Sequence, residues 1–176
     1  MKIGTLVRRF LTPGFVVTVR AYLKYRALVS PRAEVEITPH LALGRGAVIS
    51  SFTKVKATDG PLVIGRNVEV AVGCMLSSYT SGVEIGDDCL IGPNVTIVGN
   101  NYRYDDLEKP IRLQDKVSST GIRIAANVWI GAGCCLLDGA DIGSGSILTP
   151  NTVVSSRIPP NSIVQGNPGK VIFTRR

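Results

Sequence analysis

Residues 124–154 read IAANVWIGAGCCLLDGADIGSGSILTPNTVV, and this stretch decides the fold. Stepping six residues at a time from Ile124 meets Ile130, Leu136, Ile142, Leu148 and Val154, an aliphatic at every step. Four residues after Ile124, Ile130, Leu136, Ile142 and Leu148 stands a small or slim side chain: Val128, Cys134, Ala140, Ser146 and Thr152. A helix repeats near every 3.6 residues and a strand every two, so neither gives a register of six. A strict six-residue repeat predicts a parallel β-helix, in which each hexapeptide is one short side of a triangular coil and three of them close a turn. The aliphatic fills the prism and the slim residue fits the tighter inner space. Gly or Asn at the corners accepts unusual backbone angles.

The register extends outward from this stretch. Ile37, Leu43, Ile49 and Val55 are six apart; nine residues lead to Ile64, followed by Val70 and Leu76. Nine more lead to Ile85, then Ile91 and Ile97, then a jump of 27 reaches Ile124, and nine separate Val154 from Ile163. Grouped in threes, the coils begin at Ile37, Val55, Leu76, Ile97, Leu136 and Val154. Every insertion then follows the first hexapeptide of its coil and leaves the prism at the same corner. About six coils stacked at ~4.8 Å predict a prism ~30 Å tall. The longest insertion, residues 99–121, reads GNNYRYDDLEKPIRLQDKVSSTG and is polar, aromatic and charged where the coils are not. A long irregular loop on a rigid scaffold is where function concentrates.

A chain of 176 residues fits one folded unit, here an arm over residues 1–33 and a β-helix over 34–176. Aromatics at 6% and 19 glycines suit narrow stacked coils. Cys74, Cys89 and Cys134 fall on the slim inward position and Cys135 points the other way. With no CxxC spacing and one histidine, His40, these read as reduced core thiols, and no metal site is expected. The first 33 residues hold Lys2, Arg8, Arg9, Arg20, Lys24, Arg26 and Arg32 and no acid, whereas 13 basic and 13 acidic residues balance beyond them. Pro13 is a helix start, and Phe15, Val16, Val19, Tyr22 and Leu23 share one helical face. The apolar runs are too short and interrupted for a membrane span or signal peptide. Two compatible expectations follow: a helix covering the open end of the coils, and a basic amphipathic arm over residues 2–29 resting on an anionic membrane surface. Nucleic acid is not an expected partner, since no base-stacking or groove-reading motif follows. The expected location is cytoplasmic, peripheral at the inner membrane face.

The run NVWIGAG at 127–133, the hexapeptides after it, and IPPNSIVQGNPGKVI at 158–172 resemble the hexapeptide-repeat acyltransferases. These are left-handed β-helix enzymes, and the chain from Ile37 onward is similar to the O-acetyltransferases of sugars and bacterial polysaccharides. The resemblance implies an all-β, left-handed parallel β-helix and a homotrimer with acetyl-CoA as co-substrate in the groove between neighbouring prisms. It also implies direct transfer of the acetyl group to an acceptor hydroxyl or amine, expected here to be a hydroxyl of a sugar or polysaccharide precursor, free or lipid-linked. In that chemistry a loop histidine takes the acceptor's proton and backbone donors stabilise the oxyanion.

Relatives of this kind carry a stretch like D-H-N-H-x-Y-x-D after the P-N-V-x-I repeat. Here Pro93-Asn94-Val95-Thr96-Ile97-Val98 is followed by Gly99-Asn100-Asn101-Tyr102-Arg103-Tyr104-Asp105-Asp106, so Asn100 and Tyr102 replace both histidines. Tyr102 stands where the family's base stands. A free tyrosine titrates near pH 10, so as a base it needs a perturbing neighbour such as Arg103. The candidates for the catalytic role are Tyr102, Asp105 and Asp106, and for acceptor binding Asn100, Asn101, Arg103 and Tyr104. On the donor side the resemblance implies Trp129, the backbone at Ala132 beside the thioester, and Pro150 along the pantetheine groove. Ser155 and Ser156 occupy the place of a Thr-Lys pair, with Lys170 or Arg175-Arg176 able to supply the missing charge. The Asn and Asp that small-sugar acetyltransferases use have no match at Val72 and Thr80. A catalytically silent trimer that binds a glycan or a protein is the alternative reading. The γ-class carbonic anhydrase that shares this fold needs three histidines and is set aside.

Overall fold

Three parallel sheets form the sides of a triangular prism. The computed structural model describes residues 13–57 and 59–176; Lys2, Arg8 and Arg9 of the expected arm lie outside the described residues. The first face carries Leu28–Val29, Val48–Ile49, Glu69–Val70, Leu90–Ile91, Trp129–Ile130, Ile147–Leu148 and Ser162–Gln165. The second carries Glu34–Val35, Lys54–Lys56, Met75–Ser77, Thr96–Val98, Cys135–Leu137 and Val153–Val154, and the third Leu41–Leu43, Leu62–Ile64, Val83–Ile85, Ile122–Ile124, Asp141–Ile142 and Arg157–Ile158. Equivalent residues stack in register from coil to coil, as Ile97 does on Leu76 and Leu136.

The repeat dictates the interior. Ile130, Leu136, Ile142 and Leu148 are all fully buried, and so are the slim positions Cys134, Ser146 and Thr152. A polar atom inside the prism is tolerated because the neighbouring coil offers a carbonyl. The Ser146 hydroxyl donates to the Pro159 carbonyl (3.1 Å) and that of Thr53 to Ala71 (2.7 Å). Burial pushes the thiols of Cys74, Cys89 and Cys134 up, away from the reactive thiolate. The corners explain the Gly/Asn pattern. Gly133 has φ +69°, and a Cβ there would sit 2.4 Å from Asn151 Oδ1 in the coil above.

The register differs from the expected one at its two ends. Val35, not Ile37, stacks under Val55 on the second face, and Ile37 is only partly buried against the core. After Val154 the third face is reached in four residues at Ile158, and Val164 rather than Ile163 points inward on the first face. The last swelling is therefore a contraction. The shared corner stands: residues 99–121 and the shorter insertions all lie between the second and third faces.

The helix α1, Gly14–Tyr25, starts after Pro13 and ends at Arg26, whose left-handed backbone (φ 56°) returns its N–H to the Tyr22 carbonyl. It covers the first coil as expected. Ala21 is fully buried, the Thr18 hydroxyl donates to the Val29 carbonyl (2.8 Å) and the Tyr25 hydroxyl to the Leu41 carbonyl (2.8 Å). At its C-terminal end the helix stops at Tyr25, before the expected limit at Val29, because Leu28–Val29 already pairs with Val48–Ile49 in the prism. At the other end, Lys170–Thr174 folds back antiparallel on Ser162–Gln165.

Candidate active site at one corner of the prism

Residues 99–121 leave the second face and return to the third as a small folded unit. Asn101–Tyr102 pairs antiparallel with Lys116–Val117, and Arg103 N–H donates to the Asp115 carbonyl (2.9 Å). A 3-10 turn at Ile111–Leu113 shapes the tip. Gln114, nearly buried, holds it: Nε2 donates to the carbonyls of Asp106 and Lys109 (both 2.8 Å), and Oε1 accepts from Asp106 N–H (3.3 Å). The return is fastened to the prism. The Asp138 carboxylate accepts from Thr120 N–H (3.0 Å) and Gly121 N–H (2.8 Å), and the Ser81 hydroxyl donates to the Ser119 carbonyl.

This hairpin presents Tyr102 at 44% exposure. Across it, the Lys116 ammonium sits 4.6 Å from the centre of the Tyr79 ring and 6.0 Å from that of Tyr102. Asp59 pairs with the same ammonium at 3.6 Å. Tyr102 thus belongs to a cluster with Lys116, Tyr79 and Asp59, none of which the sequence reading singled out. Arg103 does not turn to Tyr102 but grips Asp105, with Nη2 to Oδ2 at 2.5 Å and Nε to Oδ1 at 3.0 Å. These hydrogen bonds hold the Asp105 carboxyl down at about 2. A carboxylate so stabilised is a poor proton acceptor at neutral pH. Asp106 shapes the loop, its carboxylate accepting from Glu108 N–H (3.1 Å) while its backbone binds Gln114. Asn101 and Tyr104 are exposed and Asn100 is half-buried at the loop's exit.

The donor-side residues separate into distinct places within one chain. Trp129, half exposed, lies on the outside of the first face between Leu90 and Ile147. Ala132 and Pro150 are neighbours at the corner between the first and second faces, where Asn151 N–H donates to the Ala132 carbonyl (2.9 Å). A Cβ on Gly131 would lie 2.7 Å from Pro150 N, so glycine is what lets these two coils close up. Ser155 and Ser156 sit at the other corner, with the loop; Asp141 N–H donates to the Ser156 carbonyl (3.3 Å). Lys170 belongs to the returning strand beside Gln165. Arg175 is committed to the prism end, Nη1 donating to the Gly145 carbonyl (2.6 Å). Tyr102 and the Ala132–Pro150 pair are therefore on opposite edges of the second face.

Beside the loop's root the third face carries an open concavity of about 480 Å³, lined by Pro61, Ser81, Glu84, Thr120, Arg123 and Asp141 among others. Glu84 and Arg123 stand 3.8 Å apart across stacked coils. The outward positions of the third-face hexapeptides were the available signal for it. Among the described residues no group of three or more potential metal ligands occurs.

No family model matches the chain. It is 31% identical over 186 residues to "Probable acetyltransferase Rv3034c" of Mycobacterium tuberculosis, matching 97% of this chain and 61% of that protein. It is 35% identical over 112 residues to the galactoside O-acetyltransferase of Escherichia coli, matching 62% of this chain and 52% of that one. The chain thus spans between half and two thirds of these curated relatives. In three dimensions it is similar to AntD, an N-acyltransferase from Bacillus cereus solved with dTDP and coenzyme A, with a TM-score of 0.76 over 90% of this chain and 88% of that one at 17% identity. In sequence the chain is thus similar to proteins named acetyltransferases, and in three dimensions it shares its fold with an N-acyltransferase, in line with the resemblance that the hexapeptide repeats carry.

Proposed function

We propose that the protein transfers an acetyl group from acetyl-CoA to a hydroxyl of a sugar or polysaccharide precursor, as a cytoplasmic homotrimer. The observation that carries this reading is the placement of the loop cluster and the Ala132–Pro150 corner on opposite edges of the second face. One chain cannot close these two around a substrate, whereas prisms packed side by side set the loop of one copy against the corner of the next. The acceptor hydroxyl then attacks the thioester carbonyl, the C–S bond breaks, the hydroxyl proton leaves to a base or to water, and CoA departs as the thiol. Trp129 and Pro150 line the donor groove, Ala132 N–H faces the oxyanion, and Ser155, Ser156 and Lys170 border its far end. Tyr102 stands in the base position, with Asn100, Asn101, Arg103 and Tyr104 around the acceptor. A positioned general base typically contributes ~10²–10⁴-fold, so proximity and oxyanion stabilisation sustain a slow reaction without one. The kinship to a galactoside O-acetyltransferase supports a glycan acceptor.

The test is to mix the full chain with acetyl-CoA and a panel of glycans, following thiol release and the mass of the products. Acceptor-dependent release supports the reading, and failure to bind acetyl-CoA sinks it. One observation favours a second reading, a catalytically silent trimer that holds a glycan or a protein: the Arg103 grip removes Asp105 as an effective base next to Tyr102. Acetyl-CoA binding without transfer to any acceptor is not its signature either; it predicts glycan binding that is indifferent to CoA.

A further inference from the structure

We propose that α1 is a peripheral membrane anchor whose outward stripe enters an anionic lipid surface while its opposite stripe seals the prism. A helix that only caps needs one apolar face, and α1 has two. The packed face runs through Gly14, Thr18, Ala21 and Tyr25, where Ala21 is fully buried and both hydroxyls bond to prism carbonyls. The second face consists of Phe15, Val19, Tyr22 and Leu23, at i, i+4, i+7 and i+8, exposed by 64%, 52%, 47% and 71%. These four share one side of the helix, and Leu28, 56% exposed, follows five residues after Leu23 on the first strand. Such large apolar side chains grouped on one face mark a surface that meets something other than water.

Charge selects the occupant. Arg20 and Lys24 are exposed on the same helix, Arg20 flanking the stripe beyond Leu23 and Lys24 further round, and the first 33 residues contain seven basic side chains and no acid. A second copy of this helix, docked face to face, would bring these like charges together with no acid of α1 to answer them. An anionic bilayer answers both features, taking the apolar side chains among the acyl chains and the cations among the headgroups. The Arg26 guanidinium lies 5.4 Å from the Tyr22 ring and the Lys24 ammonium 4.6 Å from that of Tyr25, cation–aromatic pairs suited to the interfacial zone. No helix of the described residues is long and apolar enough to cross a membrane. The helix lies on the bilayer and does not span it.

The experiment is co-sedimentation of the full chain with phosphatidylcholine vesicles and with vesicles in which about a third of the lipid is phosphatidylglycerol. Partitioning to the anionic vesicles is expected to exceed that to neutral ones by roughly tenfold or more at low salt and to fall steeply at 0.5 M salt. Val19→Glu with Leu23→Glu should abolish it, and Arg20→Glu with Lys24→Glu should weaken it by at least about tenfold, the equivalent of ~1 kcal/mol for each cation lost. All four side chains are exposed, so thermal unfolding and acetyl-CoA binding should be unchanged in both variants. Equal binding to neutral and anionic vesicles, no binding, or glutamate variants that bind like the parent would each overturn the anchor. A lower oligomeric mass in Val19→Glu with Leu23→Glu would assign the stripe to contacts between copies and overturn it too.

Discussion

The coils at 124–154 and the loop at 99–121 are joined end to end and obey different rules. In the coils every sixth side chain is buried and the strands are hydrogen-bonded to the coils above and below. In the loop nearly every residue is exposed, and order comes from a short hairpin, Gln114 and the Asp138 fastening. The contrast teaches why a 27-residue step can replace a six-residue one without disturbing the prism. The stack fixes where the chain must leave and re-enter, and nothing that happens outside the corner feeds back on the register.

The contrast is broken most forcefully from inside. Leu136→Ala removes a fully buried side chain between Ile97 and Val154 and should cost about 2–5 kcal/mol. Chemical denaturation should show the whole prism unfolding earlier; a loss confined to one coil would mean that the coils are independent units. Next in size is the loop's chemistry. Tyr102→His should raise acetyl transfer roughly 10²-fold near neutral pH by restoring a base in that range, while Tyr102→Phe lowers it. A histidine variant that binds acetyl-CoA yet gains nothing would show that the loop no longer faces an acceptor.

Gln114→Ala should act on the loop alone. Losing its three hydrogen bonds should destabilise the tip by about 1–3 kcal/mol. Amide exchange across 106–114 should quicken by tenfold or more while the unfolding midpoint stays put. A shifted midpoint would make the loop part of the cooperative core. The smallest effect is a titration. Arg103 holds the Asp105 carboxyl at about 2 against an ordinary 3.8, so the pair's local ordering is present above pH ~3.8 and lost as pH falls through about 2. Arg103→Ala should return the Asp105 carboxyl toward its ordinary value in a carbon NMR titration, with little change in global stability because both groups are exposed.

What the sequence made legible follows the same division. The six-residue register revealed the prism, its inward Cys, Ser and Thr positions, and the corner from which the loop departs. It misled only where two registers compete. In Glu34-Val35-Glu36-Ile37 both aliphatics are plausible inward residues, and the choice of Val35 depends on the pairing with Val55. At Ser162-Ile163-Val164 strand alternation turns Ile163 out and Val164 in, a detail that the attractive nine-residue spacing concealed. The partners of Tyr102 were illegible for another reason. Asp59, Tyr79 and Lys116 are brought together by the stacking of successive coils and the pairing of the hairpin, and no local spacing connects them. The reach of Arg103 to Asp105, two residues on, was open to local reasoning, since a carboxylate outcompetes a neutral phenol for a guanidinium, and it runs against the expected pairing of Arg103 with Tyr102.

The two ends of the stack carry a consequence of their own. A parallel coil with bare ends could accept another molecule's first strand on its last one, and the addition would regenerate the same bare end each time. Here α1 occupies one terminus and the antiparallel Lys170–Thr174 the other. A reversed strand cannot template a further parallel turn, and a helix offers no ladder at all. On the first face, therefore, the last parallel strand, Ser162–Gln165, presents no free edge for a further parallel turn, while α1 lies against the first coil at the other end.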